Sequence, residues 1–495
     1  MYGEEEVSTI RRSFKSDTSF LEKISMGATG TRAVLSDLEG QGHQPIELER
    51  GSTSFKIWKN IKIKRIRVPD ILCVACGRCV ESRAKTKLEI SMSHSEADPE
   101  RGWDYGLADE DFVGLVACEK DGEEPVAWTT AGPVQYVRVE ALRKAAEEGS
   151  AVVSRPKGAQ EGFEIRIIWP TSKASAAGTI TNVDEKRIQY ERASDGRTIT
   201  LQRQKKDREL SALVVEGEEV DRNQILASVV PVVKGFECEE SATGSDYIRA
   251  LESPSLTDRY TGVKALGTIR SGDVTDALAA KVTDEGEHIY VRLEAAGGLA
   301  RRGEALGYDF IAKCLRDDYL QNRLEAVIVL GEIESDRSCR MLIDVFVDDE
   351  QHPDIRAGAA WALGELRSKL AIEALIKSFA SVEDRIRVEA CRALGKVCEH
   401  FTPEVIERFP EAPDRLRPGI AWALSNAGEF EIDDMIDLLV DDDARQWVAY
   451  VVGTQDKDEY IGEIERLREK DPEVYFAVTV LWKIMTSWIW NVEEY

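Results

Sequence analysis

The sequence lacks the segments that mark secreted and membrane proteins. Its start, MYGEEEVSTIRRS, has no apolar signal region, so we expect a cytoplasmic protein. The longest apolar run, VYFAVTVLWKIMTSWIW, is short for a bilayer span and contains Lys483, so we expect a buried helix there and no membrane partner. The nine cysteines are odd in number and spread over 495 residues, which favours reduced thiols or metal ligands over disulfides.

Several common catalytic motifs are also missing from the sequence. It has no G-x-x-x-x-G-K-[ST] phosphate loop, and its five histidines show no spacing typical of Ser-His-Asp hydrolases. These absences argue against P-loop nucleotide hydrolysis and give no support to nucleophilic hydrolase chemistry.

Cations are scarcer than anions, but their distribution is uneven. The chain has 65 Lys and Arg against 91 Asp and Glu, and a net charge of −26 repels polyanions. Residues 51–90 hold ten cations against three anions, a local charge of +7, which leaves −33 for the rest. This island can bind phosphates locally, although a solvated strand face is the alternative interpretation.

A repeat of about 30 residues fills the region 245–495. Each unit has an Arg, an apolar or small residue three positions later, Leu or Val at +7 and a small residue at +8; the leading residues are Arg259, Arg292, Arg323, Arg356, Arg387, Arg417 and Arg445. Such units are helical hairpins that bury their apolar stripe only against neighbouring units, so the pattern predicts an α-solenoid that binds a protein partner. Three tryptophans, Trp482, Trp488 and Trp490, are expected to form a C-terminal cap.

These repeats resemble the short HEAT-like repeats of the phycobilin-lyase type. The resemblance implies that the arginines form a structural ladder between repeats with the nearby aspartates Asp258, Asp354, Asp384 and Asp414.

The middle region, 160–235, alternates apolar and polar residues over strand lengths and predicts a small β domain. The stretches AGTITNVDEKRIQYE and VVEGEEVDRNQILA resemble a barrel-sandwich hybrid. No Met-Lys-Met tip is present for a swinging arm, so we expect a spacer or interaction module.

The first 150 residues predict the order α-β-β-β-(α)-β. Three extended segments, PIELER, FKIWKNIKIKRIRVP and CVESRAKTKLEISM, precede the apolar strand FVGLVACE. Alternation places Glu81, Arg83, Lys85 and Lys87 on one strand face, and pairing with the segment that ends at Asp70 would bring Asp70 beside Glu81. Two such carboxylates can hold Mg²⁺ for phosphodiester hydrolysis.

These residues resemble the PD-(D/E)XK, or restriction-endonuclease-like, nucleases. VPD at 68–70 corresponds to the PD, and ESRAK at 81–85 stands where the family has (D/E)-x-K. The resemblance implies that Asp70 and Glu81 bind the metal and that a following lysine assists catalysis. Here Arg83 occupies the lysine position and Lys85 follows two residues later, so either cation could assist, or the site could be a degenerate relative that binds without cutting.

The same resemblance suggests further residues around this site. Glu22, on the first helix, could join the metal shell, although a solvated helix-face glutamate is the alternative. The nucleic-acid backbone is expected to contact Lys62, Lys64, Arg65, Arg67 and Lys87.

A zinc site is a rival prediction for the same stretch. CVACGRC supplies Cys73, Cys76 and Cys79, and His94 or Cys118 could complete a tetrahedral set. The alternative is that the three cysteines are small buried hydrophobes at a strand turn.

Together these patterns predict a multidomain protein with an α/β restriction-endonuclease-like domain (1–150), a small β barrel (160–235) and an all-α HEAT-like solenoid (245–495). The leading functional hypothesis is a Mg²⁺-dependent nuclease acting on DNA in defence or repair. The alternative is a non-catalytic scaffold with a degenerate, nucleic-acid-binding and zinc-stabilised N-terminal domain.

Overall fold

The computed structural model describes residues 17–49, 66–88, 90–93, 102–122, 127–154, 164–205, 208–425, 427 and 445–454. These residues form two compact units, the first running up to Ile269 and the second beginning at Arg270. The predictions for Lys62, Lys64, Arg65, His94 and the cap tryptophans Trp482, Trp488 and Trp490 lie outside the described residues. Among the described helices, none is long and apolar enough to cross a bilayer.

The first unit begins with a helix and a mixed sheet. Its N-terminal elements are α1 (Asp17–Gly40), β1 (Pro45–Glu47), β2 (Ile71–Cys73), β3 (Cys79–Lys85), β4 (Ile90–Ser93), β5 (Phe112–Lys120), β6 (Trp128–Thr130), β7 (Gln135–Arg138), α2 (Val139–Glu147), β8 (Val152–Ser154) and β9 (Glu164–Ile168). The main sheet has the order β1-β2-β3-β5-β6, and β7 also pairs with β5. Strand β2 is antiparallel to both β1 and β3, whereas β3 and β5 are parallel.

This topology corrects two details of the expected strand order. The segment CVESRAKTKLEISM divides into β3 and β4, because β4 pairs with β9 in a separate three-stranded sheet with β8. The connection from β3 to β5 was expected to contain a helix, but its described residues form turns and the strand β4.

Helix α1 covers one face of this sheet. A Cβ atom on Gly30 would lie 2.3 Å from the Cβ of Ala84, so only glycine permits this close approach of α1 to β3. Val34 and Leu38 of α1 join Val80 in the hydrophobic core. Because side chains alternate along β3, Glu81, Arg83 and Lys85 point to the face opposite α1.

A small β domain follows. Its strands are β10 (Thr171–Lys173), β11 (Gly178–Val183), β12 (Arg187–Arg192), β13 (Thr198–Gln202), β14 (Gln204–Lys205), β15 (Arg208–Glu209), β16 (Ser211–Ala212), β17 (Glu219–Val220) and β18 (Ile225–Ser228). The largest sheet has the order β13-β12-β11-β17, and a second sheet has the order β10-β18-β16. Both sheets contribute to one core, with Ile180, Ile188 and Tyr190 packed near Leu226 and Ala227.

The repeat region is entirely helical where it is described. Helices α3 (Gly244–Ala250) and α4 (Leu256–Leu266) belong to the first unit; the second unit contains α5 (Gly272–Thr283), α6 (Ile289–Ala300), α7 (Ala305–Cys314), α8 (Leu320–Gly331), α9 (Asp336–Val347), α10 (Pro353–Leu366), α11 (Ile372–Lys377), α12 (Asp384–Ile406), α13 (Arg417–Ser425) and α14 (Arg445–Thr454). Helix α12 consists of two helical segments that meet at a kink at Phe401, two residues before Pro403.

Six of the repeated arginines bind backbone carbonyls of the segment that precedes their own helix, and two of them reach the last turn of the preceding helix. Arg292 Nε donates to the Val282 carbonyl at 3.0 Å, and Arg356 Nε donates to the Phe346 carbonyl at 2.9 Å. Since the last carbonyls of a helix have no intrahelical partner, each such arginine caps its neighbour. The arginines are therefore structural, but the ion pairs between repeats use other cations, as in Arg385–Asp354, Arg301–Glu332 and Lys396–Glu365.

The small residue that ends each repeat motif permits contact with the equivalent helix of the next repeat. A Cβ on Gly331 would lie 2.9 Å from Ala362 Cβ, and a Cβ on Gly364 would lie 2.8 Å from Ala393 Cα. This close contact lies between successive hairpins, because their first helices stack directly on each other.

Candidate functional site

The β2–β3 hairpin brings the two predicted metal ligands together. Ile71 pairs with Val80 and Leu72 with Cys79, so Asp70, which precedes β2, lies near Glu81 of β3. Glu81 Oε2 accepts a hydrogen bond from the Asp70 amide at 3.3 Å, and Asp70 Oδ2 accepts one from the Ser82 amide at 2.8 Å. The carboxylates are thus neighbours, but the strand that pairs with β3 is Ile71–Cys73, which follows Asp70, and not the segment that ends at Asp70.

Arg83 binds both of these carboxylates. Its guanidinium forms an ion pair with Glu81 Oε1, and Arg83 Nη1 lies 3.7 Å from Asp70 Oδ2. The same Nη1 donates to the Ser82 carbonyl at 2.8 Å. The Arg83 side chain is only 20% exposed, so the three charged groups form a largely buried cluster in which the arginine holds the central position.

Burial governs the electrostatics of this cluster. It raises the pKa of Asp70 well above its usual value, and the negative charges of Glu81 and Glu49 raise that pKa further while Arg83 opposes them. Burial works against the charged form of Arg83, but Glu81 and Asp70 outweigh it and raise the arginine's pKa. The net shift favours the neutral form of Asp70; Arg83 is the group that opposes this shift, and its removal would favour protonation of Asp70 still more.

The remaining predicted cations lie around this cluster at different depths. Lys85 ends β3 half-buried on the same face as Glu81 and Arg83, and Lys87 is exposed just beyond it. Arg67 is half-buried in the segment that leads to Asp70. Glu22 forms an ion pair with Lys120 of β5 at 2.5 Å.

Asp111 fixes the parallel pair of strands that supports the site. Its Oδ1 accepts from the Cys79 amide and its Oδ2 from the Ala108 amide, both at 2.7 Å. Burial raises the pKa of Asp111 to about 6, although both hydrogen bonds lower it. Asp111, which we did not predict, directly precedes β5 and ties this strand to Cys79, the first residue of β3.

The predicted zinc ligands separate into two groups. Cys73 and Cys76 lie at the turn of the β2–β3 hairpin, whereas Cys79 begins β3 with its thiol buried and Cys118 belongs to the hydrophobic core. The turn cysteines instead meet His43 and Cys238, and the four ligand atoms all lie within 4.8 Å of one another.

Sequence reasoning missed His43 and Cys238 because they are remote from the turn in the chain. The one available signal was the lone Cys-x-x-Cys-Gly stretch, which needs ligands from elsewhere to complete a tetrahedral set. The Cys76 thiol hydrogen-bonds to Cys73 and lowers the pKa of Cys73 to about 4, while the same bond raises the pKa of Cys76. The hydrogen bond therefore favours a thiolate at Cys73 and a thiol at Cys76.

Comparison with protein families confirms the nature of the helical region. Residues 309–395, which span α7 to α12, match the family of HEAT repeats. The C-terminal half is therefore a HEAT-repeat region, as the sequence predicted. The match covers less than half of the chain and none of the N-terminal domain, so the nuclease resemblance gains no support from it. No curated protein matches the sequence.

Solved structures that resemble the chain include a lyase complex, a hydroxylase and a designed repeat protein. The complex of CpcE and CpcF of phycocyanin lyase from Nostoc sp. PCC7120 has 18% identity and a TM-score of 0.27, and the likeness covers 51% of this chain and 99% of that one. Human deoxyhypusine hydroxylase has 14% identity and a TM-score of 0.20, over 43% and 96% of the two chains. A designed armadillo repeat protein has 14% identity and a TM-score of 0.22, over 38% and 100%. At these scores the likeness adds nothing to the family match.

Proposed function

We propose that this protein is a HEAT-repeat scaffold whose N-terminal domain is a degenerate nuclease-like module that binds nucleic acid without cutting it. The repeats would bind a protein partner, because HEAT repeats present extended surfaces that generally mediate protein interactions. Six of the arginines that recur in these repeats are engaged by backbone carbonyls of their own repeats, so partner binding would use other side chains.

The Arg83 cluster carries the non-catalytic part of this proposal. A Mg²⁺ ion takes carboxylate oxygens in strict octahedral geometry and keeps several of its waters. Asp70 and Glu81 are instead engaged by the guanidinium of Arg83, whose positive charge offsets part of their negative charge. A metal would have to displace a buried cation from two ion pairs before any hydrolysis could begin.

Binding of nucleic acid would be confined to the basic island. The local charge of +7 in residues 51–90 contrasts with −33 elsewhere, so phosphates are attracted to this domain and repelled by the remainder. Lys85, the last residue of β3, and Lys87, just beyond the strand, supply cationic groups near the cluster. Binding of this kind depends strongly on salt and weakly on sequence.

An active nuclease is the second candidate, and one observation favours it. Asp70 and Glu81 are neighbours across the β2–β3 hairpin, and Lys85 shares the strand face of Glu81. If Arg83 rotated away, these residues would offer two carboxylates and a lysine to a metal and a scissile phosphate.

The test is an incubation of the full chain with plasmid, linear DNA and RNA in Mg²⁺, Mn²⁺ or EDTA, together with Asp70→Ala, Glu81→Ala and Arg83→Lys. We expect no cleavage by the unaltered protein; cleavage by Arg83→Lys alone would identify Arg83 as the cause of inactivity. Metal-dependent cleavage by the unaltered protein that both alanine variants lose would establish the active nuclease instead.

Binding is measured separately, by fluorescence anisotropy of a labelled DNA duplex and a labelled RNA at several salt concentrations. We expect the double variant Lys85→Gln/Lys87→Gln to weaken binding, whereas the exposed Lys186→Gln in the β domain, a control at a site away from the island, leaves it unchanged. Equal binding by all three proteins would contradict a role for the basic island.

A further inference from the structure

The four side chains around the hairpin turn have the spacing of a closed metal site. Cys73 Sγ lies 3.7 Å from Cys238 Sγ, and Cys76 Sγ lies 3.7 Å from His43 Nδ1. In a tetrahedral zinc site with Zn–S distances of about 2.3 Å, neighbouring ligand atoms are about 3.8 Å apart. The two measured distances are therefore already those of two opposite edges of such a tetrahedron.

The histidine ring is oriented for binding a metal through Nδ1. His43 Nε2 lies 2.9 Å from the Phe236 carbonyl oxygen, which can only accept, so Nε2 carries the proton. In the neutral ring Nδ1 then has the free lone pair, and this atom faces the thiols. A backbone carbonyl that fixes the second ring nitrogen is the usual support of a metal-binding histidine.

The sulfur atoms of Cys73 and Cys76 accept hydrogen bonds from backbone amides, and such bonds stabilise thiolate ligands. The Gln44 amide donates to Cys73 Sγ at 3.4 Å. The amide of Cys76 also hydrogen-bonds to Cys73 sulfur, and the amide of Arg78 to Cys76 sulfur. Gly77, at φ +73°, forms the tight turn that points these amides inward, and its own amide binds the Cys73 carbonyl at 2.8 Å.

We propose that His43, Cys73, Cys76 and Cys238 bind one zinc ion in a closed, structural Cys₃His site. Four protein ligands leave no open position for water or substrate, so the ion would act as a staple and not as a catalyst. Binding releases the protons of the three thiols, and the imidazole enters neutral.

The staple would join three parts of the first unit that are far apart in sequence. His43 follows α1, the two turn cysteines join the strands that carry Asp70 and Glu81, and Cys238 lies in the segment that returns from the β domain. That segment already touches the N-terminal domain: Val233 pairs with Tyr136, and Phe236 stacks on Phe112 at 4.0 Å.

Contacts on the far side of Cys238 bind the same turn. The Ala242 amide donates to the Ala75 carbonyl at 3.0 Å, and the hydroxyl of Tyr247, in α3, donates to the Val74 carbonyl at 2.8 Å. Zinc would therefore hold the first helix of the repeat region against the hairpin that carries the candidate site.

The experiment measures metal in the full-length protein, purified without chelator, under reducing conditions and with any polyhistidine tag removed. We expect elemental mass spectrometry to find about one zinc ion per chain. The variants Cys238→Ser and His43→Ala should lose this ion. Cys79→Ala and Cys118→Ala, at cysteines outside the cluster, should retain the ion, as should Cys391→Ser in the second unit.

Two further measurements keep the test independent of misfolded variants. The unaltered protein loaded with Co²⁺ should show the visible bands of a tetrahedral ion and a thiolate charge-transfer band. On removal of the metal by a chelator, hydrogen exchange should rise in residues 233–247 and at the 74–78 turn but not in β12 and β13.

Three results would overturn the proposal. One is a protein that contains no zinc and gives no tetrahedral Co²⁺ spectrum with its thiols reduced. Another is undiminished zinc in both Cys238→Ser and His43→Ala. The third is a disulfide between Cys73 and Cys238 in the protein isolated under reducing conditions, which would identify the cluster as a redox pair.

Discussion

The two compact units arrange their charged and polar contacts by different rules. In the HEAT-repeat region, contacts recur at the repeat interval: Arg301–Glu332, Lys396–Glu365 and Arg385–Asp354 each join residues 31 apart. In the N-terminal unit, the groups that meet come from unrelated positions, and several are buried acids. A repeat stabilises itself by many similar small contacts, whereas the N-terminal unit depends on a few buried clusters whose loss should be felt more strongly.

The largest effect that we expect from a single substitution is that of Arg83→Met. It removes the cation that binds Asp70 and Glu81 and leaves two neighbouring carboxylates without their counter-ion. Removing one partner of a buried ionic cluster typically costs about 3–5 kcal/mol. The measurement is the free energy of opening of β3 and β5 from hydrogen exchange, at neutral pH.

The double variant Arg83→Met/Asp70→Asn provides the control for this prediction. It removes one negative charge as well, and we expect it to recover part of the loss. If Arg83→Met alone left β3 as stable as in the unaltered protein, the buried cluster would not be the stabilising feature that distinguishes this unit.

The second prediction concerns pH and Asp111. Burial raises the pKa of this carboxyl from 3.8 to about 6, so between these values the folded state keeps a proton that the unfolded chain has released. Stability is therefore lost as pH rises from 4 to 6, by up to about 3 kcal/mol for a shift of about two pH units. Asp111→Asn should lack this component, which urea titrations of hydrogen exchange in β5 at each pH would measure.

The second unit supplies the comparison for this pH effect. Asp273, at the start of α5, has a lowered pKa because it hydrogen-bonds to Ser271. Asp273→Asn removes this carboxyl group. The variant should show the same change of stability between pH 4 and 6 as the unaltered protein. Identical pH profiles for the unaltered protein and Asp111→Asn would show that this buried acid is not what makes the first unit sensitive to pH.

The third prediction tests whether the repeated arginines act as helix caps. Arg356 donates to the Phe346 carbonyl and forms an ion pair with Asp349 at 2.8 Å, and its side chain is 14% exposed. Arg356→Met should lower the unfolding free energy of the repeat region by about 1.5–3 kcal/mol, the range for hydrogen bonds that involve a charged group. Urea unfolding followed by far-ultraviolet circular dichroism is the measurement.

Arg392 is the matched control in the same part of the chain. It is half exposed, and its ion pair among the described residues is a local one, with Glu389 three residues away, so Arg392→Met should change stability by less than about 1 kcal/mol. Equal losses from the two arginines would remove the distinction between capping and surface cations.

The fourth prediction concerns the packing between successive repeats. A methyl group on Gly364 would lie 2.8 Å from Ala393 Cα, an atom of the backbone that cannot turn aside. Gly364→Ala should therefore destabilise the repeat region by about 1–3 kcal/mol despite the better helix propensity of alanine. Gly272, at the start of α5, has no neighbouring atom within 4 Å of its Cβ position, and Gly272→Ala should be neutral or stabilising in the same thermal unfolding assay.

The sequence alone determined the repeat region. The HEAT period, the structural role of the arginines and the need for a small residue such as Gly364 follow from contacts that recur at a fixed interval along the chain. Strand alternation also indicated that Asp70 and Glu81 could meet, provided that the segment ending at Asp70 paired beside the strand of Glu81.

Only the tertiary structure decided how these groups are used. Strand alternation placed Arg83 beside Glu81 but could not reveal that its guanidinium binds both carboxylates, since this depends on burial and on the register of β2. The partners of Cys73 and Cys76 are set by the return of the chain at Cys238 after an entire β domain, together with His43 at the end of α1. Local periodicity contains no record of such encounters, because they arise from the packing of the sheet and of the segment that crosses it.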